Sequence, residues 1–355
     1  MNSLLIAHSR SYVHWCEGEM MQVVLCSRVR LVRSIAGERF PHWSSPEQQS
    51  ARLAQLHGAL RDVDPEFNFW KSGQLSPKEW LYFRERRIAG KSFAPNGSQV
   101  GIATMHRTPI DCRFNDGEHI KISAMRPGLQ LAEAHAFANG LDDALSLRLS
   151  FAFDEKKGYL TADPASLGTG LRASLLFFLP ALVAAEKMCQ FVHAVQSVGC
   201  AIGGFYGTGS DPEGCIFQIH NRSSLGESEE TIIRRLSGIG EVLQGHELAA
   251  REELKRTLGE RLMDRMARVM AILSSARLLP LQEAIALLCQ ARLAAHLGFL
   301  DSSLVPTIDR LLTEIQPVHL QLRRGAWMTQ QQQEEERAGL LRQTFAGIAP
   351  LRGGK

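Results

Sequence analysis

Apolar and polar residues alternate from Gln22 to Gly37, QVVLCSRVRLVRSIAG, and the β-branched valines in that run strengthen its reading as a strand. Alternation puts Arg28 and Arg30 on one face. A polar, helix-prone stretch covers Pro46 to Arg61, and a basic segment follows at Phe83 to Lys91. QVGIATM and DCRFNDGEHIKISAM predict further short strands. In GLQLAEAHAFANGLDDALSLRL, Leu131, His135, Ala138 and Leu141 recur at helical spacing. Another strand follows Arg172 and closes at Pro180; Ala181 to Gly199 is then expected to be one helix ended by its glycine. Short strands and glycine turns return over CAIGGFYGTGSDPEGCIFQIHNR.

The pattern changes after Glu227. From Ser228 to Leu320 the periodicity is helical only, with Leu254, Leu258, Leu262, Met266 and Met270 at successive one-turn steps, a stripe that reads as core or dimer interface. Thr329 to Gly339, TQQQQEEERAG, is polar and is expected to be a linker or a solvated helix start. A strand-rich middle with a helical tail points to the α+β class.

Composition narrows the function classes. A chain of 355 residues with 45% apolar content can build a sizeable core. Its 40 Lys and Arg against 37 Asp and Glu give a net charge of +3, which demands neither nucleic acid nor a membrane surface. The seven cysteines are scattered and never form C-x-x-C, so neither a disulfide framework nor a metal cluster is expected. The N-terminus lacks a signal-peptide pattern, and the most apolar window, Leu171 to Ala185, is too short to span a bilayer. A cytoplasmic location is expected.

The candidate chemistry lies in DPASLGTGLRASLLFFLP, Asp163 to Pro180, where an arginine enters a buried strand. Such a charge is costly unless an anion meets it. GTGLRA copies the letters of a dinucleotide fingerprint but has no strand before it and no helix after it, so the match is accidental. Arg28, Arg30 and Arg172 together suit a polyphosphate, because planar guanidinium forks bind phosphate oxygens in pairs. The basic run Arg84, Arg86, Arg87 and Lys91 reads as a solvated face, and His119 as a packing or orienting residue.

Five blocks, VVLCSRVRLVR, GEHIKI, FAFDEKKGYLT, GTGLRASLLFFLPAL and GGFYGTGSDPEGCIFQIHNRSSLGESEETI, resemble in order and spacing the phosphagen kinases (ATP:guanidino phosphotransferases). The bacterial protein-arginine kinase branch is the most similar. The resemblance covers Gln22 to Leu236 and continues weakly through the helical tail, which in that branch serves dimerisation and phosphoarginine binding. It implies the guanidino-kinase fold, an antiparallel β-sheet flanked by helices, with an N-terminal extension (1–21), a kinase-like domain (22–245), a helical C-terminal domain (246–345) and a flexible tail (346–355). ATP and Mg²⁺ are implied, with Ser27, Arg28, Arg30, Lys121, Arg172, Ala173 and Ser174 on the phosphates and Arg87 and His119 as candidate nucleotide contacts. Also implied are a homodimer and protein substrates or partners, among them a zinc-binding activator and a Clp-type chaperone system.

Departures from the family pattern fall on its chemistry. Where the family reads N-E-E-D-H-[LI]-R this chain has NDGEHIK, so Gly117 stands for a substrate-binding, catalytic glutamate and Lys121 for a phosphate arginine. In GGFYGTGSD, Gly203 stands for another phosphate arginine and Thr208 for the second essential glutamate, while Asp163 occupies the place of the active-centre cysteine. The tail's R-D-x-x-R-A motif is approximated only by QEEERA, Gln333 to Ala338. A guanidinium with a pKa above about 12 is a poor nucleophile until a carboxylate aligns it. Each lost stabilising group removes about two to three decades of rate. The expectation is a pseudokinase or very weak kinase that acts by binding or regulation. The alternative is an active protein-arginine kinase that uses Asp116, Glu118, Asp163 or Asp211 as substitute carboxylates.

Overall fold

The computed structural model describes Leu5 and residues 22–90, 99–105, 108–204 and 214–348. Thr208, Asp211 and Lys91, and the rest of the expected N-terminal extension, lie outside the described residues. The strands are β1 (Val24–Arg33), β2 (Asn68–Lys71), β3 (Gly101–Thr104), β4 (Ile110–Asp116), β5 (Glu118–Pro127), β6 (Phe153–Asp154), β7 (Gly158–Tyr159), β8 (Leu171–Phe178), β9 (Cys200–Gly204) and β10 (Ile216–Asn221). The helices are α1 (Pro46–Val63), α2 (Pro77–Glu85), α3 (Leu131–Ser146), α4 (Pro180–Ala184), α5 (Met188–Ser197), α6 (Glu229–Ser275), α7 (Leu281–His296), α8 (Val305–Glu314), α9 (Pro317–Arg324) and α10 (Gln330–Phe345). Eight strands form one antiparallel sheet in the order β2-β3-β4-β5-β1-β8-β10-β9, so the expected α+β architecture is present.

Alternation sorts the two faces of this sheet. Val29 and Leu31 of β1 lie with Ile120 and Ile122 of β5 and with Leu171, Ala173 and Leu175 of β8 in one core. Leu56 and Leu60 of α1, Ala134 and Ala138 of α3, and Ile232 and Leu236 of α6 cover it. Each large apolar side chain there contributes about 1.5–3 kcal/mol. A slip of one residue would push Arg28 and Arg30 into that core, which fixes the register.

The opposite face changes character along its strands. At one end Arg30 lies opposite both Ser123 and Arg172; one step further Arg28 lies opposite Met125 and Ser174, and then Cys26 opposite Leu176. Cys26, Met125, Leu176 and Ile216 pack in a second core with Leu262, Met266 and Met270 of α6, Ile285 and Leu288 of α7, and Leu341 and Phe345 of α10. The C-terminal helices thus sit on the apolar end of the face whose other end carries the arginines.

Two local expectations change, and between the two readings of Thr329 to Gly339 the helix start is the one present. Ala181 to Gly199 is two helices, because Glu186 takes a left-handed conformation (φ 58°) between α4 and α5. Glu247 of α6 accepts from the Ala181 and Leu182 amides at 3.1 and 3.0 Å, which caps α4 and docks it separately. Thr329 to Gly339 is the capped start of α10, closed by reciprocal Thr329 and Gln332 bonds, and not a linker. In the α6 stripe Leu262, Met266 and Met270 are buried, but Leu258 is 39% exposed. Four-residue steps advance about 40° past a full turn each time, so one stripe cannot stay on one face. The same helix runs uninterrupted through residue 245.

Candidate functional site

Strands β4, β5, β1 and β8 lie side by side, so Asp111, Ser123, Arg30 and Arg172 form a rung across all four. Arg113 faces Lys121 beside that rung. Neighbouring strands are only about 4.8 Å apart, so five cations, Arg28, Arg30, Arg113, Lys121 and Arg172, crowd into one patch. Arg28 and Arg113 are 8% and 3% exposed. Two carboxylates on the sheet face them: Asp111, 3.9 Å from Arg28, and Asp116, which pairs with Arg113 and lies 3.4 Å from Lys121. Positive charge is in excess.

The titration behaviour reflects that excess. Burial, and then Arg113, Arg28 and Arg172, hold Arg30 well below its ordinary range. Burial lowers Lys121 to about 8, with Arg113 acting in the same direction against Asp116. Burial alone would raise Asp116, but Arg113, Lys121 and Arg30 outweigh it and keep the carboxyl low. Burial also lowers Arg172, opposed by Asp163. Several donors in the patch are buried without an acceptor among the described residues: Arg28 Nε, Arg30 Nε, and Nε and Nη2 of Arg113. Unmet buried donors beside surplus charge are a ready receptor for an anion.

The structure brings some of the expected residues to this patch and not others. Arg28, Arg30, Lys121 and Arg172 converge on it, and Ser174 lies at its edge with Oγ donating to the Arg28 carbonyl at 3.4 Å. Ser27 lies elsewhere: it is fully buried, donates to the Gly128 carbonyl and accepts from the Gln130 amide, each at 2.8 Å. Ala173 faces the core and gives its amide to Asn221 at 2.9 Å. His119 orients the backbone, as expected: Nδ1 accepts from the Ile35 amide at 2.8 Å and Nε2 donates to the Arg39 carbonyl at 2.9 Å. Burial lowers it to about 4, so it is neutral.

On the acceptor side, Gly117 tips the β4–β5 hairpin at φ +74°, with room for a Cβ whose nearest neighbour is Lys121 Nζ at 3.6 Å. Glu118 accepts from Ser34 Oγ and the amides of Ala162 and Asp163 at 3.3, 2.9 and 2.8 Å. Asp163 is exposed and its Oδ1 takes the Ala165 amide at 3.0 Å. Gly203 sits on the edge strand β9 opposite Gln218.

Of the expected solvated basic face, Arg84 is exposed but the next two arginines are not. Arg86 and Arg87 are each 6% exposed. The Arg87 carbonyl accepts from Arg28 Nη1 at 2.6 Å and its Nη2 donates to Gln218 at 3.1 Å. Arg86 Nε donates to His319 Nε2 of α9 at 2.9 Å. Glu85 takes the Val318 amide at 2.9 Å and His319 Nδ1 at 2.8 Å, so α9 pins the end of α2 and the two arginines after it. Sequence reasoning missed Asp111 and Arg113, although the alternation of DCRFND carries the same signal that singled out Arg28 and Arg30. Among the described residues no acidic, histidine or cysteine cluster is placed to hold a metal ion, and no helix is long and apolar enough to cross a membrane.

Comparison with known proteins gives this geometry a family. The model of the ATP:guanido phosphotransferase C-terminal catalytic domain matches residues 54–250, and that of the protein-arginine kinase McsB C-terminal domain matches 259–352. A protein-arginine kinase of Moorella thermoacetica is 34% identical over 340 residues, 94% of this chain and 97% of that protein. One of Geobacillus thermodenitrificans is 36% identical over 331 residues, 92% of this chain and 91% of that protein. The crystal structure of a lombricine kinase shares the fold at a TM-score of 0.55 and 21% identity, covering 68% of this chain and 70% of that one. The chain belongs to the ATP:guanidino phosphotransferase family, in its protein-arginine kinase branch.

Proposed function

We propose that this chain binds a nucleoside triphosphate in the arginine patch but transfers phosphoryl groups to arginine slowly or not at all, and so works by binding or regulation. One observation carries the reading: the hairpin-tip position is Gly117, and the two acids beside it are already engaged. Asp116 is shared between Arg113 and Lys121, and Glu118 holds Ser34 and two loop amides. A carboxylate that aligns an acceptor guanidinium needs free lone pairs aimed at it. The unpaired guanidinium donors of Arg28, Arg30 and Arg113 fit ATP, which would supply the transferable phosphoryl group; Mg²⁺ belongs with phosphate oxygens and water.

A second reading, an active protein-arginine kinase, is favoured by Asp163. This residue is exposed, and its charge reaches Arg172. Kinship supplies the remaining proposals: a cytoplasmic protein with a protein partner, a zinc-binding activator and a Clp-type chaperone system among the candidates. A homodimer belongs with them, and Leu258, Ile272 and Leu278, 39, 37 and 49% exposed, offer it apolar surface. Radiolabelled ATP with an arginine-rich protein separates the readings. A thermal shift with ATP and no acid-labile label supports the first. Strong incorporation, abolished by Arg172→Ala and by Asp163→Asn, establishes the second.

A further inference from the structure

Arg113 has no role assigned by the sequence motifs, yet at 3% exposed it is buried more deeply than Arg28, the other buried cation of the five. Its one acceptor among the described residues is Asp116, reached through Nη1, and that carboxylate also serves Lys121. Nε and Nη2 remain buried with no acceptor. Those two N–H groups form one edge of the guanidinium plane, the edge that matches an oxyanion in bidentate fashion. Arg113 starts from β4, an outer one of the four strands, beside Lys121 on β5. Among the charges acting on Arg30 and on Lys121 it is the strongest, ahead of Arg28 and Arg172 at Arg30.

A purely structural role accounts poorly for this arrangement. A pair with Asp116 needs one nitrogen, and although the buried Asp111 carboxylate also feels the Arg113 charge, it bonds neither Nε nor Nη2, so both donors stay unmet. We propose that Arg113 is a direct polyphosphate ligand whose Nε and Nη2 grip an oxyanion of the bound triphosphate beside Arg30. The proposal rests on the triphosphate reading above and extends the receptor to β4.

The test is calorimetric titration of the purified full chain with tripolyphosphate and, separately, with ATP. Arg113→Met is expected to weaken both ligands by about 10- to 100-fold, the loss of one charge-assisted bidentate contact. Arg113→Lys should fall between, since it keeps charge without the fork. Arg256→Ala, at a side chain 73% exposed, should leave both affinities unchanged. Arg113→Gln, which keeps an amide donor for Asp116, replaces the methionine variant if that one fails to fold. A folded Arg113 variant that binds both ligands within twofold of the parent overturns the inference, and the triphosphate reading then stands if Arg172→Ala weakens binding. A loss seen with ATP but not with tripolyphosphate also overturns it, by placing Arg113 on the nucleoside. Failure of the parent to bind either ligand overturns both.

Discussion

Lys121 turns the charge crowding of the patch into a measurable pH dependence. Burial and the neighbouring Arg113 bring this ammonium from 10.5 down to about 8 in the folded chain. Its side chain is 19% exposed, so solvent screens the effect only in part. At about 1.36 kcal/mol per pKa unit the shift corresponds to roughly 3 kcal/mol. The sign follows from proton counting. Between about pH 8 and 10.5 the unfolded chain holds a proton on Lys121 that the folded chain has released, so this group makes stability rise with pH across that window. Anion binding runs the other way. A phosphate beside Lys121 favours the charged form, so affinity should be level below pH 8 and fall above it, by up to tenfold per unit. Tripolyphosphate titrations between pH 7 and 9.5 measure the slope, and Lys121→Arg, charged throughout, should flatten it. A parent affinity that stays level to pH 9.5, or a slope that persists in Lys121→Arg, refutes the placement of Lys121 against the ligand.

Other perturbations probe the scaffold around the patch. Glu85→Ala strands the Val318 amide and His319 Nδ1, and should remove about 3 kcal/mol in chemical denaturation and weaken tripolyphosphate several-fold through Arg87; unchanged affinity in the folded variant would break that link. His119, neutral with a folded value of about 4 against 6.5 unfolded, should make stability fall between pH 6.5 and 4 by up to about 3 kcal/mol, a slope that His119→Ala removes along with its two backbone bonds. Gly117→Glu adds a side chain where a Cβ has room, at about 1 kcal/mol of left-handed strain, and should raise transfer of label to arginine. A folded, ATP-binding Gly117→Glu protein with no gain in transfer would move the block away from the hairpin tip.

The legible part of this molecule was what alternation encodes. CSRVRLVR gave both the strand and the face of Arg28 and Arg30, and GTGLRAS gave the glycine turn that brings in Arg172. The same rule, applied one residue more strictly, excludes Ser27 and Ala173, which alternate to the other face, and admits Arg113. Contacts between distant segments left no such trace. Arg337, within the polar run QEEERA, is 2% exposed because its Nε and Nη1 donate to the carbonyls of Ile315 and Leu279. Glu85 and His319 meet across 234 positions of sequence, so local patterning could only read Arg86 and Arg87 as solvated.

Those distant contacts explain how a surplus of buried positive charge is held in place. Repulsion among Arg28, Arg30 and Arg113 favours moving their side chains apart, and the β-sheet fixes only where each one starts. Arg28 is restrained because its Nη1 is bound to the Arg87 carbonyl, on a residue kept at φ 61°. That conformation is unfavourable for a side-chain-bearing residue and persists only where surroundings enforce it. Here it is the left-handed cap of α2, closed by the Ile88 and Ala89 amides on the Phe83 carbonyl at 2.8 and 3.0 Å, and α9 braces the same turn through Val318 and His319 on Glu85 and through His319 on Arg86. The helices after residue 275 therefore brace the turn whose carbonyl holds Arg28, as well as burying apolar surface, and the Glu85→Ala affinity measurement tests how far that brace reaches.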